Sequence, residues 1–437
     1  MKTRYFNLAL SLLLLLPCTL RTVQAQTAGT ISSYSRYGLG LLRDQSQGFN
    51  KSMGGVGQGM RIGNRVNTTN PASYSAIDSL SLIFDVGMSA SFGQMKKQQQ
   101  KAGVQNATLD YVHIGMRLGK RLGLALGFMP YSSIGYDFMS SEHSRKTIAY
   151  DPDTGLPISL NESYSGSGGL NQAYIGLGWR TFHNISIGAN VSFLWGKYNH
   201  LVISEGTIGD ISSTSFINPT RIYDASLRTY KIDLGVQYPV RLAKEDGLNL
   251  GLTASIGHKI AQDAVLMTGE TADTASAPFD LPYSIGFGTS WQHKNTLIVA
   301  ADVNHEFWNK CRMPAEVNGD YMPVKGYYMG RTRVAAGVQW TPNPYGKFWD
   351  RIQYRAGVNY TTPYLKVNGN SGPKEISISV GAGIPIINRI NNRSVVNFGL
   401  QWLNRSASAP GMISENYMVI NLGMTFNERW FMKFKID

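Results

Sequence analysis

Cysteine is almost missing, with only Cys18 and Cys311 in 437 residues. That excludes a disulfide scaffold, and with no Cys/His cluster at ligand spacing it leaves no metal site to expect. Charge is also scarce: 16% of residues are Asp, Glu, Lys or Arg, against about a quarter in ordinary soluble domains. After residue 25 no apolar run approaches the roughly 18 to 20 residues of a spanning helix, so a multi-pass helical membrane protein is excluded. Glycine, by contrast, is abundant at 47 residues, but it follows no G-X-Y period, which rules out collagen. Aromatic and β-branched residues are plentiful and exclude a disordered chain. The formal charge of +13 raises nucleic acid as a partner. No Lys/Arg stripe supports it, and anionic lipid surroundings account for the charge more simply.

Residues 1 to 25 place Lys2 and Arg4 before the apolar run Leu8 to Leu16 and end in Val23-Gln24-Ala25. This is the layout of a secretory signal peptide cleaved after Ala25. Cys18 is not read as a lipidation site, because Pro17 stands where a small residue is needed. Once the signal is removed Cys311 has no internal partner.

From residue 80 the sequence alternates with period two, the mark of strands with one apolar face. Leu80, Leu82, Phe84, Val86, Met88, Ala90 and Phe92 share one face, and Ser81, Asp85, Gly87, Ser89, Ser91 and Gly93 the other. The second face is small and polar. The pattern recurs from Ile185 to Trp195 and from Leu248 to Ile256. About fourteen such segments fit between residues 80 and 426, the third over 121 to 136. The connections take turns between long and short, the longest being 137 to 169 and 199 to 222. A soluble sandwich has no reason for this, whereas an outer-membrane barrel has long outer loops and short periplasmic turns.

Aromatics fall at segment ends, where interfacial belts belong. Trp179, Tyr238, Trp291 and Trp340 precede short turns and are assigned to a periplasmic girdle. Trp195 and Trp402 precede long loops and are assigned to the outer one. The expected fold is therefore all-β: a transmembrane antiparallel barrel of about 14 strands, residues 80–426. It is preceded by residues 26–79, too long for a simple tail, and followed by a C-terminal periplasmic tail, residues 427–437. Asn421-Leu422-Gly423-Met424-Thr425-Phe426 is similar to the assembly signal of outer-membrane barrels, which makes the barrel assembly machinery a partner. The chain continues past it through Trp430-Phe431-Met432-Lys433-Phe434-Lys435, which either caps the periplasmic rim or is itself the closing strand.

Before residue 80 the chain lacks alternation and reads Ser35-Arg36-Tyr37-Gly38-Leu39-Gly40, Met53-Gly54-Gly55-Val56-Gly57 and Asn67-Thr68-Thr69-Asn70-Pro71-Ala72-Ser73-Tyr74. Asn70-Pro71 is a turn signal, and Gly54 and Gly55 permit close backbone packing. A phosphate cradle is excluded, since no strand precedes the glycines and no Lys-Ser/Thr follows. Here the sequence resembles the FadL/TodX family of outer-membrane transporters for hydrophobic compounds. The resemblance implies an N-terminal hatch or plug, residues 26–79, inside a fourteen-stranded barrel, with Gly54, Gly55, Asn70, Pro71 and Ala72 as gate residues.

The third segment runs through Gly127-Phe128-Met129-Pro130-Tyr131-Ser132, and Pro130 has no N–H for a ladder that a closed barrel should complete. The family resemblance implies an inward kink of this strand and a lateral opening at Gly127, Phe128, Pro130, Tyr131 and Ser132. The expected function is passive uptake of hydrophobic small molecules, fatty-acid-like or aromatic, across the outer membrane of a Gram-negative bacterium. The alternative is a FadL-like subunit of a protein secretion machine. Lys96, Lys97 and Lys101 either draw amphiphilic anions or, more simply, serve lipopolysaccharide contacts and solvation. His143-Ser144 lies in a long loop without an acid partner in any triad pattern, so no enzyme is expected. No cofactor is expected, and a monomer is.

Overall fold

The computed structural model describes residues 32–429 apart from 98, 140–145, 153, 209–210, 387–393, 407–408 and 410. The expected signal peptide, His143-Ser144 and the Trp430 to Lys435 segment lie outside the described residues.

Fourteen antiparallel strands form the wall. In chain order they are β1 Ser81–Lys97, β2 Gln100–Arg117, β3 Leu122–Pro130 resumed at Ser132–Met139, β4 Pro157–Arg180, β5 Ser186–Ile208, β6 Ile211–Arg241 and β7 Asp246–Ile256. They continue with β8 Ser284–His293, β9 Leu297–Glu306, β10 Arg331–Trp340, β11 Gln353–Thr361, β12 Lys374–Ile386, β13 Ser394–Ser406 and β14 Ser414–Arg429. Each pairs with its neighbours, and β14 closes the ring on β1, from Ser81 opposite Arg429 to Lys96 opposite Ser414. Closure leaves no sheet edge to lipid over that seam, as a hydrocarbon environment demands. The closing strand is thus β14, which runs past Phe426 to Arg429.

The alternation has the expected sense. Phe84, Met88, Phe92, Ile187, Val191, Phe193 and Leu252 are exposed on the outer surface, where they would meet acyl chains. Trp179, Tyr238, Trp340 and Trp402 are exposed near strand ends, and Trp195 and Trp291 are half-buried in the same outward rows.

The strands outrun the alternation on the outer side. Where 137 to 169 and 199 to 222 read as loops, the ladder in fact continues: β4 begins at Pro157, β5 runs to Ile208 and β6 begins at Ile211. β1 and β2 likewise extend until Lys96 faces Lys101. Beyond the lipid both faces of a strand meet water, so hydrogen bonding persists while the two-residue pattern has nothing to enforce it.

Inside the wall lies the hatch. It enters at the outer end, where Ser32 and Ser33 donate to the buried Glu415 carboxylate at 2.9 Å through both hydroxyls. It then passes a 3-10 turn Ser33–Arg36, a two-residue strand Leu41–Leu42, a helical turn Gly48–Lys51 and a second 3-10 turn Pro71–Ala76, before delivering the chain to β1. Lumen-facing glycines make this descent possible. They pair across strands, Gly178 with Gly188 and Gly188 with Gly235 on one side, Gly337 with Gly357 on the other. A Cβ on Gly188 would sit 2.4 Å from the Pro71 carbonyl carbon, and one on Gly357 2.1 Å from that of Met53.

Gly188→Val should therefore push the hatch off the wall, at a cost of about 1–3 kcal/mol for overpacking. The expected outcome is a barrel that keeps its heat-modifiable mobility while hatch sites become open to trypsin; unchanged protection would refute the close packing.

Candidate functional site

Three features meet in the lumen: the hatch with its anchors, a chamber beside it, and a break in β3. The hatch reverses at Gly54 and Gly55, whose φ of 70° and 75° place them in the left-handed region. Their carbonyls accept from Arg333 of β10, Gly54 O at 2.8 Å and Gly55 O at 3.3 Å. Immediately after, the N–H groups of Gly57 and Gln58 both point at the Asp302 carboxylate of β9, at 2.5 and 2.8 Å. A wall cation thus holds the hatch carbonyls and a wall anion holds its amides. The Arg65 guanidinium is also buried in the hatch over the Phe49 ring, and burial pulls its pKa down to about 10 although Asp85 opposes this.

Asn70 joins hatch to wall. Its Nδ2 donates to Gln58 O at 2.9 Å and to Val236 O of β6 at 3.1 Å, while its Oδ1 accepts from Ala72 N at 3.1 Å. The last bond caps the 3-10 turn that Pro71 opens, with Ala72 fully buried. Gly54 and Gly55 against β10 and β11, and Asn70, Pro71 and Ala72 against β4 to β6, hold the hatch at separate places on the wall. They do not form one cluster.

The predicted lateral-opening residues do lie together. β3 pairs with β2 only up to Phe128 opposite Val112. Above that point, among the described residues, the edge of β2 that faced β3 has no strand partner, and β3 takes another one: Leu41 pairs with Ser133 and Leu42 with Ser132. Arg43 N continues the contact to Tyr131 O at 3.0 Å, and Gln45 Nε2 donates to Pro130 O at 3.0 Å. Neither polar group of a usual residue is left at Pro130 for β2, since it has no N–H and its carbonyl is taken by the hatch.

On its other side β3 keeps β4, through a bulge. Pro130 faces Asn171 and Ile134 faces Gly168, so three residues of β3 oppose two of β4. Tyr131 N donates to Leu170 O at 2.7 Å and Ser132 Oγ accepts from Leu170 N at 3.2 Å, which satisfies the irregular backbone. Gly127 lies against His113 and Tyr174 one rung below the last, and Phe128 turns outward to Trp195, with ring centroids 6.0 Å apart.

Beside the hatch, between its outer and inner parts, is a chamber of about 320 Å³ that reaches this break: Thr108 and Asp110 of β2, with Met129 and Tyr131 at the interruption of β3, line it. Its charges are paired. Lys51 meets Asp110 at 2.6 Å, Arg331 meets Glu306 at 2.9 Å, and Arg405 meets Glu375 at 2.9 Å. At the outer end, buried apolar and aromatic residues gather in one cluster that includes Trp308, Phe279, Tyr328 and Tyr364 together with Leu39 of the hatch. Among the described residues no group of three His, Cys, Asp or Glu is placed to hold a metal.

Arg333, Asp302 and Glu415 escape a reading based on motifs. The available signal was parity: each is a charge on the small polar face of its segment, where Gly, Ser and Asn are the rule.

The model of one protein family, described as BamG, matches residues 8–437. No curated protein sequence matches the chain. Among solved structures it is similar to the toluene transporter TbuX of Ralstonia pickettii, at 15% identity and a TM-score of 0.60, covering 89% of this chain and 99% of that one. It is also similar to the CymD monoaromatic hydrocarbon channel, at 15% identity and a TM-score of 0.56, covering 89% and 98%. A FadL homologue of Pseudomonas aeruginosa shares 12% identity with a TM-score of 0.57, covering 87% and 98%. At such identities the likeness speaks for the fold. With the closed barrel, the internal hatch and a family match over almost its whole length, the chain belongs to the BamG family and is a Gram-negative outer-membrane β-barrel of FadL-like fold.

Proposed function

We propose that the chain admits hydrophobic small molecules, fatty-acid-like or aromatic, through the outer membrane and releases them sideways between β2 and β3. The observation that carries this reading is the change of partner along β3 above Phe128, from β2 to the hatch residues Leu41 and Leu42. A molecule leaving axially would have to enter the periplasm against about 0.8 kcal/mol per methylene. A side exit at membrane depth avoids that transfer. Because the strand that replaces β2 belongs to the hatch, any hatch movement also moves the edge of the opening, and this supports the hatch as gate. The named ligands of TbuX and CymD, toluene and monoaromatic hydrocarbons, suit the same class of cargo. The reading needs no catalysis, cofactor or metal.

A second reading, that of a non-transport subunit within an outer-membrane protein secretion machine, is favoured by the lumen itself. Aromatic residues pack at the outer end, and the chamber beneath carries several ion pairs, a setting less suited to an apolar ligand than a mostly apolar pocket. Purification in mild detergent separates the two: stable co-purification with a large secretion pore, without uptake activity, favours the subunit.

Removing residues 26–75 should turn a silent barrel into a steadily conducting one in planar bilayers, and unchanged conductance would sink the hatch assignment. Pro130→Val should lower uptake of a fluorescent long-chain acid several-fold with barrel folding intact, as read from heat-modifiable mobility. Wild-type uptake in that variant would remove the lateral exit.

A further inference from the structure

The periplasmic rim combines cations with exposed apolar side chains, and neither the hatch nor the chamber uses them. In the turn from β10 to β11, Tyr345 is 87% exposed and Trp349 70%. Yet this turn is held in place. Asn343 N donates to Asp350 O at 2.9 Å, Tyr345 N to Asn343 Oδ1 at 3.0 Å, and Lys347 N to Asp350 Oδ2 at 3.0 Å. A 3-10 turn Trp349–Arg351 follows, and Tyr354 OH donates to Trp349 O at 3.3 Å. Tyr354 stands in an outward row, its ring 6.0 Å from that of Trp340. The exposed aromatics therefore prolong the girdle beyond the strand end, with Lys347 exposed between them and half-buried Arg351 beside it, its Nε donating to Lys347 O at 3.3 Å.

The same pairing recurs on other short turns. Exposed Leu118 stands two residues before exposed Lys120, and exposed Leu242 two before exposed Lys244. Phe182, 79% exposed, lies 5.0 Å from the Arg121 guanidinium. Of the acids nearby, Asp350 accepts within its own turn, and Glu245 pairs with Lys294 at 3.2 Å.

We propose that this rim binds the anionic phospholipid head groups of the periplasmic leaflet, with the β10–β11 turn as its main anchor. Aromatic rings settle at the boundary between acyl chain and head group, and cations just beyond them are drawn to an anionic surface. Continuity with Trp340 and Tyr354, which already face lipid, selects a lipid partner over a periplasmic protein.

The test titrates the full chain in detergent with dioleoylphosphatidylglycerol or dioleoylphosphatidylcholine and counts retained lipid by native mass spectrometry. Phosphatidylglycerol should be retained about fivefold over phosphatidylcholine, and Lys347→Gln with Arg351→Gln should cut that preference to about twofold or less, with the folded mobility unchanged. Equal retention by the wild type, or an undiminished preference in the double variant, overturns the proposal. In phosphatidylglycerol vesicles, the fluorescence missing in Trp349→Ser should be quenched by lipid brominated near the head-group end of its chains. Quenching of that component by aqueous acrylamide alone would place Trp349 in the periplasm, open to a protein partner, and would overturn the lipid assignment.

Discussion

Backbone packed on backbone, with no Cβ between, is the constraint on which this molecule rests. A fourteen-stranded ring encloses more space than its own side chains fill, and here the space is filled by the main chain of the hatch. Paired glycines such as Gly188 with Gly235 and Gly337 with Gly357 let that chain approach. Close approach alone would leave buried N–H and C=O groups unpaired, at roughly 1–3 kcal/mol each. Asp302 receives the amides of Gly57 and Gln58, and Arg333 supplies the carbonyls of Gly54 and Gly55. Glycine for space and a few charges for hydrogen bonds are thus one solution to one problem.

The hatch also runs the full height of the lumen. Its first described residues are fixed at the outer end by Glu415, and its last turn packs where β4, β5 and β6 approach the periplasm. Between these ends it lends Leu41 and Leu42 to the edge of β3. This loan has an energetic reason: it pairs part of the β3 backbone that β2 no longer pairs, and unpaired backbone groups are costly in hydrocarbon. Roof, strand break and floor are consequently joined by a single segment of chain.

Much of this was legible beforehand because it is local or periodic. Phe84, Met88 and Phe92 announce an outward row by spacing alone, and Pro130 announces a defect by the donor it lacks. Where the lipid stops, the same logic fails: residues 199 to 208 carry no alternation, yet β5 continues through them, since water on both faces imposes no pattern. Arg333 and Asp302 were visible only as charges on the wrong face, because their partners lie some 250 to 280 residues earlier in the chain.

The sequence by itself determined a barrel, since period-two hydrophobicity and the turn-and-loop rhythm are imposed by the bilayer on each strand separately. It also marked Pro130 as a residue that cannot complete a ladder. Only the tertiary structure decided what occupies the lumen and what β3 pairs with after Phe128. Those choices depend on which residues the ring brings opposite the hatch, and closure of the ring is a property of all the strands at once.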